Sequence, residues 1–210
     1  MSATARVPAH DEMPAGKAES VLAAAEQCFL ASGFGAVSMD AIARAAGVSK
    51  ATVYAHFASK EALFGAVVTR LSERRFGGFS VDALDPRAVE ASLTTIAQRF
   101  LELILSPEAI ALNRIIIGEI TRFPVLGEVF WAAGPERTRA QTEAFLGRVA
   151  EAGALAVPDA RLAAEQFLAL ARGEIHLRHL LRLDGDIDAA TVGGAARHTA
   201  ATFLRAFSSG

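Results

Sequence analysis

The chain has 210 residues, 52% hydrophobic and 21% charged, enough apolar side chain for a sizeable core and too much for a disordered or fibrous protein. Its mean hydropathy of +0.31 does not reflect a membrane span, because runs such as Ile115-Ile116-Ile117 are broken at once by Gly118 and Glu119 and spanning needs about 20 apolar residues. The net charge of -2 hides an asymmetry: residues 17–76 hold seven basic and five acidic side chains, and all three lysines of the chain (Lys17, Lys50, Lys60) lie in that segment, a distribution that suits phosphate contacts and equally suits solvated helix faces.

Taken in chain order, residues 1–16 are polar and contain proline, with no basic start leading into an apolar stretch; a disordered tail and a cytoplasmic protein are expected. The single cysteine, Cys28, leaves no partner for an internal disulfide, no multi-cysteine zinc site, and fits a reducing compartment. Helical periodicity then recurs almost throughout, with no alternating run bounded by hairpin turns, so the fold class is all-α with about nine helices. The first helix is expected over 17–32, with Val21, Leu22, Ala25, Phe29 and Cys28 inward and Gly33 as its left-handed stop. Ser38, Ser49 and Ser59 each stand where a side chain can cap a helix, which places three helix starts at short intervals. Gly77-Gly78 and Asp85-Pro86 mark a break in the chain. Beyond it, helices are predicted over 87–105, 108–122, 125–131, 135–153, 159–182 and 188–206, with Pro107, Pro124, Pro135 and Pro158 at or just before helix starts. Residues 183–187 form a polar loop, and Ser208-Ser209-Gly210 should fray.

The informative stretch is 38–61, Ser-Met-Asp-Ala-Ile-Ala-Arg-Ala-Ala-Gly-Val-Ser-Lys-Ala-Thr-Val-Tyr-Ala-His-Phe-Ala-Ser-Lys-Glu. Ala43 allows close helix approach, Gly47 makes the turn, and Ile42, Val48, Val53 and Phe57 close a miniature core. That is a helix-turn-helix. With Val53 and Phe57 inward, Lys50, Ala51, Thr52, Tyr54 and His56 occupy the remaining arc of the second helix, which can enter a major groove. They offer donors for phosphates and base edges and methyl groups for a thymine.

These residues resemble the tetracycline-repressor (TetR) family of bacterial regulators. The likeness runs from about Lys17 to Phe64, most closely over Gly47-Val48-Ser49-Lys50-Ala51-Thr52-Val53-Tyr54-Ala55-His56-Phe57-Ala58-Ser59-Lys60-Glu61-Ala62-Leu63-Phe64, with Gly33-Phe34 matching the end of the family's first helix. It implies a three-helix helix-turn-helix domain over 17–64 leading into a fourth helix, and an effector-binding and dimerisation domain over 65–207. By the same resemblance Tyr54, His56 and Lys60 hold phosphates, Lys50, Ala51 and Thr52 lie nearest the bases, and Ser38 meets phosphate; Ser49 belongs to the same DNA-facing set. Family members pair through their last two helices. Here Phe167, Leu177 and Leu181 on one helix and Gly193, Gly194, Ala200 and Ala201 on the next are the candidate interface, small residues permitting close approach; Gly193-Gly194 could instead mark a kink.

Residues 112–137 and 163–178 resemble the C-terminal domain of the family's AefR-like branch. Phe100, Leu103, Ile116, Ile120, Phe123, Phe130, Trp131, Phe167 and Leu170 are candidates to line an apolar cavity, with Asn113, Glu119, Arg172 and His176 as its polar groups, although each could equally be plain core or surface. Glu119 reads as a surface carboxylate; if buried, it needs a partner such as Arg122, Arg172 or a cationic ligand. His176 and His179 stand three apart on one helix, but no His-Glu-x-x-His or Glu-x-x-His pair accompanies them, so no metal and no other cofactor is expected. The sequence has no Gly-x-Ser-x-Gly elbow, phosphate loop or dinucleotide fingerprint, and so nothing to carry an enzymatic reaction. The reading is a one-component regulator, repressing by family default, that binds a near-palindromic operator as a homodimer and is released by a largely apolar small molecule. The competing reading is a helical small-molecule-binding or protein-interaction module that does not read DNA.

Overall fold

Serine, aspartate and proline stand where the helices begin. The computed structural model describes residues 15–76, 81–183, 185 and 187–207, and among these it contains ten α-helices and one short 3-10 turn. They are α1 (Ala15–Ala36), α2 (Met39–Ala46), α3 (Lys50–His56), α4 (Lys60–Phe76), a 3-10 turn (Val81–Ala83), α5 (Val89–Ile104), α6 (Pro107–Glu119), α7 (Val125–Ala133), α8 (Pro135–Glu151), α9 (Ala160–Leu180) and α10 (Ala189–Phe207). The expected tail, apart from Ala15 and Gly16, lies outside the described residues, as do the Gly77-Gly78 break, Asp184 and Asp186 of the polar loop, and the last three residues.

The caps expected at Ser38, Ser49 and Ser59 are present, and three more join them. Ser38, Ser49, Ser59 and Ser106 each accept a hydrogen bond from the backbone N–H three residues on, at 3.1–3.2 Å. Asp159 and Asp188 do the same for α9 and α10, at 3.0 and 2.8 Å. Each such bond satisfies one of the four amides a helix leaves open at its start. Pro107 and Pro135 occupy first-turn positions of α6 and α8, where no donor is needed.

Two glycines depart from the helical path. Gly33 adopts φ 79 and ψ 172 and interrupts α1, which continues as a final turn to Ala36; the sequence places the stop correctly but not that extra turn. The kink in the last two helices falls at Gly173 of α9 (φ 48, ψ -156), not at Gly193-Gly194, whose helix continues through them.

Burial divides the molecule into two cores. One holds Val21, Phe29, Phe34, Ile42, Val53, Leu63, Phe64 and Val67 from α1–α4, and it extends into α6 and α7 through Ala109, Leu112, Ile116 and Leu126. The other is built from α5, α8, α9 and α10, including Leu93, Leu101, Phe145, Leu146, Phe167, Ala196, Ala200 and Phe203. The packing boundary therefore does not coincide with the boundary along the chain: α6 and α7 follow α5 in sequence but pack on the N-terminal core. Cys28 is a partly buried member of the periphery of that core. Among the described residues, no helix is long and apolar enough to cross a membrane.

Candidate DNA-reading face and ligand cavity

Gly47 caps α2 in the left-handed region (φ 67, ψ 29), and its amide closes on the Arg44 carbonyl at 3.2 Å. That turn sets α3 across α2. Ile42 and Val53 are fully buried and Ala43 nearly so, while Val48 and Phe57 are half-buried beside them. The opposite arc of α3 is open: Lys50, Ala51, Tyr54 and His56 are exposed and Thr52 is half-buried.

The polar groups of this face are prearranged. Lys50 Nζ lies 2.9 Å from Asp40 Oδ1, which holds the ammonium above the usual lysine range through a hydrogen bond and direct attraction. The Ser49 and Thr52 hydroxyls are 2.8 Å apart. Ser38 accepts from Ala41 and keeps its own O–H to donate. Lys60 sits differently from its neighbours. Its ammonium donates to the carbonyls of Phe34 and Val37, both at 2.9 Å, and stands 4.1 Å from the centre of the Phe34 ring. Burial pushes it below the usual lysine range. Two of its three donors are thus committed inside the protein, leaving one to turn outward.

Glu119 is equally committed. Its carboxylate accepts from the amides of Phe34 and Gly35, at 2.7 and 2.6 Å, so the end of α6 is fastened to the end of α1. The partner is backbone, not Arg122, Arg172 or a ligand as composition suggests. This contact explains two glycines at once: a Cβ on Gly33 or Gly35 would lie 2.5 or 2.7 Å from a Glu119 oxygen. Phe123 completes the junction, packing edge-on to Phe34 at 5.3 Å and lying 5.8 Å from the Lys60 ammonium. At the opposite side of α6, Arg114 donates at 3.0 Å to the carbonyls of His179 and Leu180, closing the end of α9.

Between the two cores lies a cavity of about 490 Å³. Val68, Leu71, Ala109, Leu112 and Phe130 come from the N-terminal core and its margin, and Phe100, Ile104 and Leu168 from the other. Seven of the sequence candidates line it: Phe100, Leu103, Asn113, Phe130, Trp131, Arg172 and His176. Six do not. Ile116 is consumed by the N-terminal core, Glu119 and Phe123 by the junction with α1, and Phe167 by the C-terminal core, where it packs edge-on to Phe203 at 5.2 Å. Ile120 is exposed beside Gly127, and Leu170 is exposed on α9. The wall also includes residues the sequence reading missed, notably Val68, Leu71 and Ser72 from α4 and Thr138 and Arg139 from α8. Burial, with Arg172 and His179 adding to it, holds the His176 imidazole below its ordinary value. Among the described residues no three His, Cys, Asp or Glu side chains gather as metal ligands.

The candidate dimer residues separate in the same way. Phe167 and Ala200 are fully buried in their own chain and unavailable to a second copy. Leu177 and Leu181 are 53% and 59% exposed, and Leu162, Leu170 and Leu183 add to an uncovered apolar face on and just after α9. Gly193, Gly194 and Ala201 are partly exposed on α10.

Residues 21–67 match the profile of bacterial regulatory proteins of the tetR family, and residues 91–209 that of the AefR-like transcriptional repressor C-terminal domain. A solved flavonoid-responsive regulator, FrrA, is 38% identical, with a TM-score of 0.73 over 92% of this chain and 97% of its own. A structure from Mesorhizobium loti assigned to the TetR family is 27% identical, with a TM-score of 0.78 over 94% of this chain and 100% of its own. The regulator UidR of Escherichia coli K12 is 41% identical over 59 residues, which span 28% of this chain and only 30% of UidR.

Proposed function

The chain belongs to the TetR family of bacterial transcriptional regulators, and on that premise we propose that it binds a near-palindromic operator as a homodimer and releases it when a small molecule fills the cavity between its two cores. The family is one of regulators, not of enzymes. The observation that carries the reading is the position of α6. One of its faces lines the cavity through Leu112 and Asn113, and its end holds the α1 amides through Glu119. Those same α1 residues supply the Phe34 carbonyl that binds Lys60 at the start of α4, next to the reading helix.

DNA is met by α3. Tyr54 and His56, with Ser38 and the remaining donor of Lys60, address phosphates, and Lys50, Ala51 and Thr52 face bases. Lys50 must exchange its Asp40 partner for DNA. Two copies pair through the leucine face of α9 and the small residues of α10, which sets the spacing of the two reading helices. A ligand that holds the two cores at a different separation moves α6, and through Glu119 and Phe34 it tilts the reading heads out of register. Energetically the ligand must prefer the DNA-incompetent arrangement, and operator must then weaken ligand binding by the same factor. The likeness to FrrA suggests flavonoids as the first ligands to test.

The experiment is selection of bound duplexes from a random pool, followed by fluorescence anisotropy on the enriched sequence against a scrambled one at near-physiological salt. The proposal expects an inverted repeat bound with marked preference by a dimer. Equal affinity for both duplexes would favour the reading of a ligand-binding module that does not read DNA.

A further inference from the structure

Most polar groups in the cavity wall already have partners within the protein. Arg139 is held by Glu136 and Glu143, which keep its guanidinium firmly protonated. Ser72 and Thr138 donate to the carbonyls of Val68 and Gly134, and Asn113 donates one amide hydrogen to Ala109. Glu165 faces Arg161 at 3.5 Å. Arg172 differs: among the described residues, no carboxylate lies within ion-pair distance of it, and the titratable side chain that feels it is His176, four residues on. That imidazole is itself uncharged at neutral pH, so it offers one donor and one acceptor and no compensating charge. The cavity wall thus includes a guanidinium with no carboxylate partner among the described residues, together with the aromatic side chains of Phe130 and Trp131.

We infer that this cavity selects aromatic anions, with a carboxylate, sulfonate or ionised phenol on Arg172 and the ring system against Phe130 and Trp131. The inference rests on the reading of the cavity as the effector site and adds the charge of what it takes. Three physical points support it. A guanidinium fork matches planar or tetrahedral oxyanions through two parallel hydrogen bonds. The rest of the wall is apolar and aromatic, which rewards a flat ring system and disfavours a small inorganic anion. Cationic ligands are opposed by Arg172, and the carboxylates near the wall are already engaged within the protein, Glu165 with Arg161 and Glu136 and Glu143 with Arg139. The volume of about 490 Å³ suits a molecule of two or three fused or linked rings.

The test uses two probes with one aromatic body: 1-anilinonaphthalene-8-sulfonate, which is anionic, and N-phenyl-1-naphthylamine, which lacks the sulfonate. Trp131 is the chain's only tryptophan and lines the cavity, so quenching of its emission reports binding at this place. The full-length protein should bind the sulfonate about tenfold or more tightly than the neutral parent, the gain of a charge-assisted hydrogen bond. Arg172→Gln should bring the ratio close to one without weakening the neutral probe, and Arg172→Lys should restore part of it. Because Arg172 is exposed, these variants should keep their far-ultraviolet dichroism. Equal affinity for the two probes in the wild type, unchanged in Arg172→Gln, would overturn the charge selection and leave the cavity reading intact. Failure of both probes to quench Trp131 would overturn the cavity reading itself, and this inference with it.

Discussion

The two cores of this molecule are built on different terms. In the N-terminal one, apolar contact is reinforced by charge directed at backbone: Lys60 on the carbonyls of Phe34 and Val37, and Glu119 on the amides of Phe34 and Gly35. Phe34, ringed by Phe29, Phe64 and Phe123, sits at the centre of both arrangements. The C-terminal core confines such contact to one edge, where Arg148 donates to the carbonyls of Val81 and Asp82. It is leucine, alanine and phenylalanine packed between helices, and its outer face on α9 is left apolar and uncovered. The difference teaches where geometry is fixed and where it can give. A charged hydrogen bond to backbone holds one separation, whereas sliding of packed helices shifts a core of aliphatic contacts at smaller cost. The cavity lies where the two meet.

The comparison can be broken at its tightest point. Gly33→Ala puts a methyl group 2.5 Å from Glu119 Oε1, on a residue with φ 79. It should lower unfolding stability by about 2–4 kcal/mol through strain and two weakened charged hydrogen bonds, read by urea denaturation. A loss below about 0.5 kcal/mol would mean that the junction is soft. Lys60→Ala should cost about 2–3 kcal/mol in the absence of any DNA, because two carbonyls lose their donor. A variant of full stability with weakened DNA binding would return Lys60 to a purely phosphate-facing role.

On the cavity side the sharper probe is pH. His176 is held below its ordinary value by burial first, then by Arg172 and His179, so the unfolded chain takes up its proton before the folded one does. Its contribution to stability is therefore complete above the unfolded value near 6.5 and is lost as pH falls below it. His176→Gln should flatten the fall in melting temperature between pH 7 and pH 5.5. An unchanged slope would assign that titration elsewhere. The smallest effect is expected on the reading face, where Asp40→Asn frees an exposed Lys50. Anisotropy should show DNA affinity rising by about twofold to fivefold, with a steeper salt dependence; no change would mean that the pair breaks at negligible cost.

What the sequence made legible follows the same division. The caps at Ser38, Ser49 and Ser59, the turn at Gly47 and the inward set of Ile42 and Val53 are local signals, each decided within one helical turn, and the fold contains them all. The cavity depends on which helices meet, and that is not a local property. Ile116 and Phe123 have the composition of a pocket wall, but α6 turns them toward α1. Val68 and Leu71 look like the inner stripe of α4 and also line the cavity. Glu119 carries no local signal of its role, since its partners are backbone amides 84 and 85 residues away. One signal did point there: Gly33 and Gly35 flanking Phe34 provide the space that a close-approaching group requires. Phe167 misled for the opposite reason, its apolar side chain fitting cavity, interface and core alike.

The central claim is that the seam cavity and the reading helices share one equilibrium, and reciprocity tests it most directly. Trp131 quenching by 1-anilinonaphthalene-8-sulfonate would be titrated on the full-length protein, alone and with saturating operator duplex, using scrambled duplex as control. Operator should weaken probe binding, and the probe should weaken operator binding by the same factor, with no effect of the scrambled DNA. Tight probe binding at Trp131 that is indifferent to operator, alongside operator binding indifferent to the probe, would contradict the shared equilibrium.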